Sequence, residues 1–214
     1  MLTVGAPKPL LRGWFHVAAF VVAFPAGIIL IARADHAMAR TAAAVYAATL
    51  LLSFGTSAAY HRLARSERSR AILQRLDHAM IYVLIAGTYV PASLLGLPLR
   101  WGIPLLSVVA AGAIIGMAIK LVAFDRRFVR FGYALYPILG WAALFVLPVL
   151  IENLSGATLA LIVGGGLLYT VGFPVLMFQR PDPWPKVFGY HEVWHSFTIA
   201  AAVLHYGAVT NLVA

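Results

Sequence analysis

Residues 14–31 read WFHVAAFVVAFPAGIILI, a run that contains no Asp, Glu, Lys or Arg. A helix needs about 20 mainly apolar residues to cross the hydrocarbon core of a bilayer. Six further runs of comparable length follow, and the connections between them are short. The predicted spans are residues 14–31, 41–61, 76–99, 103–124, 131–151, 157–178 and 188–209. The sequence therefore predicts an all-α integral membrane protein, in which residues 1–214 form a single domain of seven transmembrane helices.

The composition agrees with a chain that has lipid as its solvent. Hydrophobic residues make up 62% of the chain and charged residues 11%, whereas a soluble domain has roughly 45–50% apolar and 25% charged residues. The net charge of +9 raises the question of nucleic acid. Because the basic residues occur in short tracts between apolar runs rather than along one polar face, we expect no nucleic-acid partner. Cysteine is absent, so any metal must be held by nitrogen and oxygen ligands.

The basic residues also predict the orientation of the bundle. Most Lys and Arg residues lie in the N-terminal tail and in the loops after the second, fourth and sixth spans, while the other side has only Arg33, Arg40 and Arg100. Cytoplasmic segments carry the excess of Lys and Arg. The N-terminus is therefore predicted to be cytoplasmic and the C-terminus to lie outside.

The first run could instead be a signal peptide, since residues 37–39 read AMA, the small-residue form of a cleavage site. The apolar part of a signal peptide has roughly 7–15 residues, and this run is longer. Arg33 and Asp35 also separate the run from the possible cleavage site. We therefore expect a retained first helix.

Three short motifs place polar residues at the ends of spans: SAAYH at residues 57–61, DH at 77–78 and HEVWH at 191–195. An ionisable group in a span costs at least about 2.5–3.5 kcal/mol on insertion scales, so each is a functional candidate. Each also has a structural explanation. Ser57 can bond to its own helix backbone, and Asp77 can cap a helix start. His191 and His195 are a stronger signal, because residues four apart share a helix face and can chelate one ion.

The predicted topology places His61, Asp77 and the His191–His195 pair at the cytoplasmic membrane face. Three His ligands with one open position are typical of catalytic zinc. The other four histidines are left out of the predicted site. His16 and His78 lie at the same face without a ligand partner at chelating spacing, His205 lies about 15 Å deeper along its helix, and His36 is in an outer loop.

These motifs, together with KPLLRGWFH at residues 8–16 and AGTYVP at 86–91, resemble the hemolysin III branch of the progestin and adipoQ receptor family over almost the whole chain. The resemblance implies a seven-helix bundle with zinc held by His61, His191 and His195 near the cytoplasmic face. It also implies that Asp77 hydrogen-bonds a water on the metal and that Ser57 lies beside that water. The branch implies a bacterial plasma membrane, and the chain shows no targeting extension.

The wider superfamily includes alkaline ceramidases, so the implied function is hydrolysis of a membrane lipid amide or ester, with Asp77 as the base and Ser57 as a hydrogen-bond donor. Two alternatives stay open. HEVWH matches the H-E-x-x-H motif of metalloproteases, in which Glu192 would be the base and Asp77 a further ligand. A zinc ion could instead staple helices in a non-catalytic receptor-like, membrane-homeostasis or cytolytic protein.

Overall fold

The computed structural model of the chain describes residues 8–122 and 126–214. Seven spans in these two ranges are long and apolar enough to cross a membrane, which confirms the predicted seven-helix bundle. Residues 1–7 of the predicted domain and the last two residues of the predicted fourth span lie outside the described residues. The helices are α1 (Trp14–Arg33), α2 (Ala37–Leu63), α3 (Glu67–Leu95), α4 (Leu99–Val122), α5 (Arg126–Gly140), α6 (Leu147–Asn153), α7 (Gly156–Phe178) and α8 (Tyr190–Val213), with a 3-10 helix at Ala142–Val146 between α5 and α6.

Helix α3 begins at Glu67 rather than at residue 76, the predicted start of the third span. Ser66 caps it, because its Oγ accepts a hydrogen bond from the Ser69 backbone N–H (3.1 Å) while the Ser66 N–H donates to Ser69 Oγ (3.0 Å). This capping box satisfies two backbone donors at the helix start. The helix therefore extends through a charged segment that a hydropathy criterion leaves out.

The fifth span, Arg130–Asn153, is not the continuous helix that its hydropathy predicts. It consists of most of α5, the 3-10 helix and α6. A break inside a membrane leaves backbone groups that need partners, and Tyr89 of α3 supplies them. The Tyr89 hydroxyl donates to the Leu139 and Gly140 carbonyls and accepts from the Ala143 N–H, each at 3.0 Å.

The helices pack mainly against their sequence neighbours, and α8 also contacts α1, α2 and α3. Small residues permit close approach between helices in a membrane. At Gly87 of α3, an added Cβ would lie 2.2 Å from Thr49 Oγ1 of α2. Large apolar side chains such as Val21, Val108 and Phe145 remain exposed on the outer surface, as expected for a surface in contact with lipid. The C-terminal end of α2 and the N-terminal end of α8 meet at one end of the bundle, which we call the site end.

Candidate metal centre

Three imidazoles converge at the site end. His61 lies in the last turn of α2, and His191 and His195 lie in the first two turns of α8. Their ligand nitrogens all lie within 4.8 Å of one another. The His61 and His191 Nε2 atoms are 3.1 Å apart. Two nitrogens bound to one tetrahedral zinc at 2.0–2.1 Å are about 3.3–3.4 Å apart, so this separation is close to that of a shared metal ion. The three residues, named here the histidine cluster, therefore fit a metal ion.

A buried ion pair fixes the start of α8. Arg12 Nε donates to Glu192 Oε1 at 2.5 Å, and the exposed fractions of the two side chains are 5% and 0%. The other carboxylate oxygen of Glu192 accepts a hydrogen bond from the Gly189 N–H at 2.9 Å. Glu192 therefore caps the helix that carries two of the three histidines and ties it to the N-terminal segment.

The N-terminal segment also packs directly against the histidine cluster. The Leu10 and Leu11 N–H groups donate to the Lys186 and Val187 carbonyls at 3.0 and 3.1 Å. At Gly13 the backbone has φ = +83°, and an added Cβ would lie 2.5 Å from the Cβ of His61. Glycine is needed here for both reasons, since other residues rarely adopt this φ and no space is left for a side chain.

Ser57 and Asp77 lie at the site end with the histidine cluster. Ser57 is one helical turn before His61 in α2. The Ser57 side chain is buried, and its hydroxyl lies beside the Asp77 carboxylate of α3. Both residues line the same chamber as His191 and His195. The site end thus brings a carboxylate and a hydroxyl to the same chamber as the imidazoles.

His16 is part of this site, although the sequence analysis left it out of the predicted ligands. Its ring stacks on that of His195, with centroids 3.7 Å apart and planes inclined by 9°. The Thr198 hydroxyl donates to the His195 carbonyl (2.9 Å) and lies 3.3 Å from His16 Nε2. His16 is therefore held against a ring of the cluster without belonging to the ligand group. The available signal was a histidine in the first turn of an otherwise apolar span; spacing along one helix could not reveal a stacking partner on another.

Among the described residues, the other three histidines lie outside the group of converging nitrogens. His78 lines the chamber, but its ring lies against Tyr133, with centroids 5.9 Å apart. His36 caps α2, its Nδ1 accepting from the Ala39 N–H at 3.2 Å. His205 Nε2 is hydrogen-bonded to the Ile162 carbonyl at 3.1 Å.

The chamber has a volume of about 190 Å³ and extends from the histidine cluster toward the middle of the bundle. Its walls come from α2, α3, α5, α7 and α8, and its far end includes Trp141, Thr170 and His205. A second chamber of about 100 Å³ borders some of the same residues, namely Thr88, Tyr89, Gly140, Trp141, Gly166 and His205. Most side chains along both chambers are apolar, which suits a hydrocarbon chain.

The fold and this site together define a heptahelical membrane protein with a candidate histidine metal centre that adjoins an apolar chamber. The family model for haemolysin-III related proteins matches residues 4–206. The chain belongs to this family, in the hemolysin III branch of the progestin and adipoQ receptor family, as its motifs predicted.

Three relatives show how far the similarity extends. The chain is 34% identical to Hemolysin-3 of Bacillus cereus over 91% of its own length and 86% of that protein. It is 33% identical to a Hemolysin-3 homolog of Bacillus subtilis (strain 168) over 74% of its length and 70% of that protein. It is also 30% identical to the heptahelical transmembrane protein ADIPOR2 of Oryza sativa subsp. japonica, over 83% of its length and 84% of the relative.

Proposed function

We propose that this protein is a zinc-dependent hydrolase that cleaves an amide or ester bond of a membrane lipid. The observation that carries the proposal is the contact between a polar centre and an apolar chamber. The chamber that Asp77, Ser57, His191 and His195 line continues between apolar side chains into the bundle. A lipid bound there would have its hydrocarbon chain in the apolar part and its polar linkage beside the histidines.

The donor set suits zinc. His61, His191 and His195 offer three imidazole nitrogens within 4.8 Å of one another, and three protein ligands with one open position are typical of a catalytic site. When bound, zinc supplies a Lewis acid that polarises a carbonyl group and makes water more acidic. The positions of Arg12 and Glu192 support this role, because their buried ion pair holds the first turn of α8 and so fixes where the two α8 histidines point.

Asp77 and Ser57 have distinct roles in this proposal. Asp77 orients the attacking water by accepting a hydrogen bond and takes its proton, which is the role of a general base. Ser57 donates a hydrogen bond to the oxygen that becomes negative as the carbonyl carbon is attacked. The Ser57 hydroxyl is placed for this role because it lines the chamber beside the Asp77 carboxylate.

The position of Glu192 argues against the metalloprotease alternative. A protease base needs a free carboxylate oxygen directed at the metal-bound side of the site. One Glu192 oxygen instead binds Arg12 and the other binds the Gly189 N–H, and the side chain is fully buried. His61, which the H-E-x-x-H reading leaves without a role, lies 3.1 Å from His191.

The organisms of two relatives support a bacterial location. Two of the relatives are bacterial Hemolysin-3 proteins, and we place this protein in the bacterial plasma membrane with its site end at the cytoplasmic face, where most of its basic residues lie. The substrate would then come from the inner leaflet. Cytolysis, which the relatives' names suggest, has no counterpart among the residues of the site.

The decisive experiment compares the Asp77→Asn and Glu192→Gln variants with the wild type. Each zinc-loaded protein is incubated with N-acyl and O-acyl lipids, and the released fatty acid is measured by mass spectrometry. We expect Asp77→Asn to retain zinc and lose at least about 100-fold in rate, since general-base catalysis contributes 10²–10⁴-fold. Glu192→Gln should retain zinc and keep a reduced activity, because it loses the charged contact with Arg12 but the Gln side-chain oxygen can still accept from Gly189.

Three results would contradict the proposal. Full activity of Asp77→Asn would remove Asp77 as the base. Complete loss of activity in Glu192→Gln, with zinc and fold retained, would assign the role of the base to Glu192, as in the H-E-x-x-H alternative. Zinc bound by a wild type that hydrolyses none of the lipids would leave the metal as a structural staple between α2 and α8.

A further inference from the structure

His205 lies deep in the bundle, away from the histidine cluster. It follows His195 by ten residues of the same helix, which corresponds to about 15 Å along the axis. Its ring borders both chambers and so stands at the point where one continues into the other. An ionisable residue at such a depth is costly and is a functional candidate by default.

The hydrogen bond that His205 makes shows whether its missing partner is a donor or an acceptor. Its Nε2 lies 3.1 Å from the Ile162 carbonyl oxygen, which can only accept, so Nε2 carries the proton. In a neutral imidazole the other nitrogen, Nδ1, is then an acceptor. Nδ1 is buried and has no partner among the described residues. The missing partner is therefore a hydrogen-bond donor.

The packing of the ring leaves little freedom for another arrangement. The Nε2–Cδ2 edge faces α7 so closely that a Cβ added at Gly165 would lie 2.4 Å from both atoms. The ring of Tyr169 lies nearby, with centroids 5.8 Å apart. Nδ1 is on the opposite edge of the ring from α7. No described residue donates to this edge, so we take the partner to be a donor on a ligand that occupies the chambers beside the ring.

We propose that His205 is a binding residue for a hydroxyl group carried part-way along the hydrocarbon chain of the bound lipid. The ligand class is an amphiphile with its polar linkage at the histidine cluster and a hydroxyl about 15 Å away. An extended hydrocarbon chain advances roughly 1.3 Å per bond, given carbon–carbon bonds of about 1.5 Å, so the hydroxyl falls near the twelfth carbon. The remaining carbons occupy the second chamber, which continues beyond His205.

This inference rests on the proposed function only in placing the polar end of the lipid at the histidine cluster. The probes are stearic acid, 12-hydroxystearic acid and 2-hydroxystearic acid, which share a chain length and differ in the presence and position of one hydroxyl. Zinc-loaded protein in detergent is mixed with equal amounts of the acids. After gel filtration, the acids retained by the protein are quantified by mass spectrometry.

The wild type is expected to retain 12-hydroxystearic acid about threefold to tenfold over stearic acid, the range given by one buried hydrogen bond. The 2-hydroxy isomer should show no such preference. His205→Phe keeps a ring but removes the acceptor, and the ratio should fall to about one. Thr88→Val is the matched control. Thr88 borders the same two chambers, but its hydroxyl already donates to the Leu84 carbonyl at 2.8 Å, so the preference should persist.

Two outcomes would overturn the inference alone. Equal retention of the two acids by the wild type, or a preference that survives in His205→Phe, would show that His205 does not bind the hydroxyl. If His205→Phe does not fold, the wild-type ratio is compared with that of a His205→Gln variant. This variant keeps an acceptor and should keep part of the preference. Retention of no acid would overturn both this inference and the lipid-binding part of the proposed function. A His205-dependent preference in a protein that hydrolyses no lipid would leave this inference standing and overturn the hydrolase alone.

Discussion

Two groups of buried polar side chains lie in this bundle, and they use their polar atoms differently. The histidine cluster lies between α2 and α8, and its ring nitrogens converge on one another. The second group lies among α3, α4 and α5, and we call it the tyrosine cluster; it comprises Tyr82, Tyr133, Tyr136, Lys120 and His78. There the Tyr82 hydroxyl donates to the Gly132 carbonyl, and the Tyr136 hydroxyl donates to the His78 carbonyl at 2.7 Å.

The difference between the two clusters shows how a candidate metal site differs from a polar packing contact between helices. In the tyrosine cluster the Tyr82 and Tyr136 hydroxyls are bonded to backbone carbonyls. The Lys120 Nζ lies 3.3 Å from the centroid of the Tyr133 ring, a cation–π contact. In the histidine cluster three ring nitrogens lie within 4.8 Å of one another, and the His61 and His191 Nε2 atoms are 3.1 Å apart. Converging acceptors repel unless a cation or a proton lies between them. A histidine at a helix end is therefore a candidate ligand only when its nitrogens converge with others.

The largest expected effect is on metal content. The His191→Ala, His195→Ala double variant should fall from about one zinc per chain to none, because one remaining imidazole cannot hold the ion. Elemental analysis of protein purified without chelators measures this. His78→Ala is the matched control, since His78 lies at the same end of the bundle and lines the same chamber but faces Tyr133. Equal zinc loss in both variants would show that the histidine cluster does not differ from the tyrosine cluster in its effect on metal content.

The second effect concerns the ion pair that holds α8. Arg12→Met should lower the free energy of unfolding by about 3–5 kcal/mol, since it leaves the fully buried Glu192 carboxylate without its partner. Thermal unfolding in detergent gives the change in stability. The Arg12→Met, Glu192→Gln double variant removes the unpaired charge and keeps the cap on Gly189. The double variant should be more stable than the single one, and the opposite order would show that the pair does not act as a unit.

The sequence was sufficient for the bundle and for the grouping of His61, His191 and His195, because both depend on local patterns. Apolar length predicted seven spans, and the spacing of His191 and His195 with the loop charges brought His61 and Asp77 to the same place. The stacking of His16 on His195 and the ion pair between Arg12 and Glu192 were not predicted. Both join residues about 180 positions apart, as the Arg12–Glu192 hydrogen bond illustrates, and neither shares a helix face or a motif that periodicity could detect.

The broken fifth span was missed for a related reason. Its hydropathy is continuous over Arg130–Asn153, so the apolar run alone predicts one helix. The break is possible because the Tyr89 hydroxyl bonds to backbone groups on both sides of it. That partner is on another helix, and its effect appears only in the packed structure.

The third effect is a packing change in the tyrosine cluster. A Cβ added at Gly116 would lie 2.2 Å from the ring of Tyr82, and the ring cannot swing away easily because its hydroxyl is bonded to Gly132. Gly116→Ala should therefore cost about 1–3 kcal/mol of stability without changing zinc content. Gly140→Ala is the control, since nothing lies within 4 Å of the added atom. A loss of zinc in Gly116→Ala would show that the two clusters are coupled.

The smallest effect is expected from His16, which joins the histidine cluster by stacking rather than by a ligand nitrogen. His16→Phe keeps a ring against His195 and loses the contact of Nε2 with Thr198. Mutation of a residue that hydrogen-bonds to a metal ligand typically lowers metal affinity by 10–100-fold. His16 reaches His195 only through its ring face and through Thr198, so we expect a loss of zinc affinity of about tenfold or less, measured by competition with a chelating dye.

A double-mutant cycle separates the two routes from His16 to the metal. Thr198→Val removes the hydroxyl that joins His16 Nε2 to the His195 carbonyl. If His16 acts through Thr198, the losses in zinc affinity from His16→Phe and Thr198→Val will not add, because either change breaks the same connection. If it acts through the stacked ring, His16→Phe alone will have little effect and His16→Ala a larger one. Additive losses from His16→Phe and Thr198→Val would contradict the hydrogen-bonded route and leave His16 as a packing residue of the site.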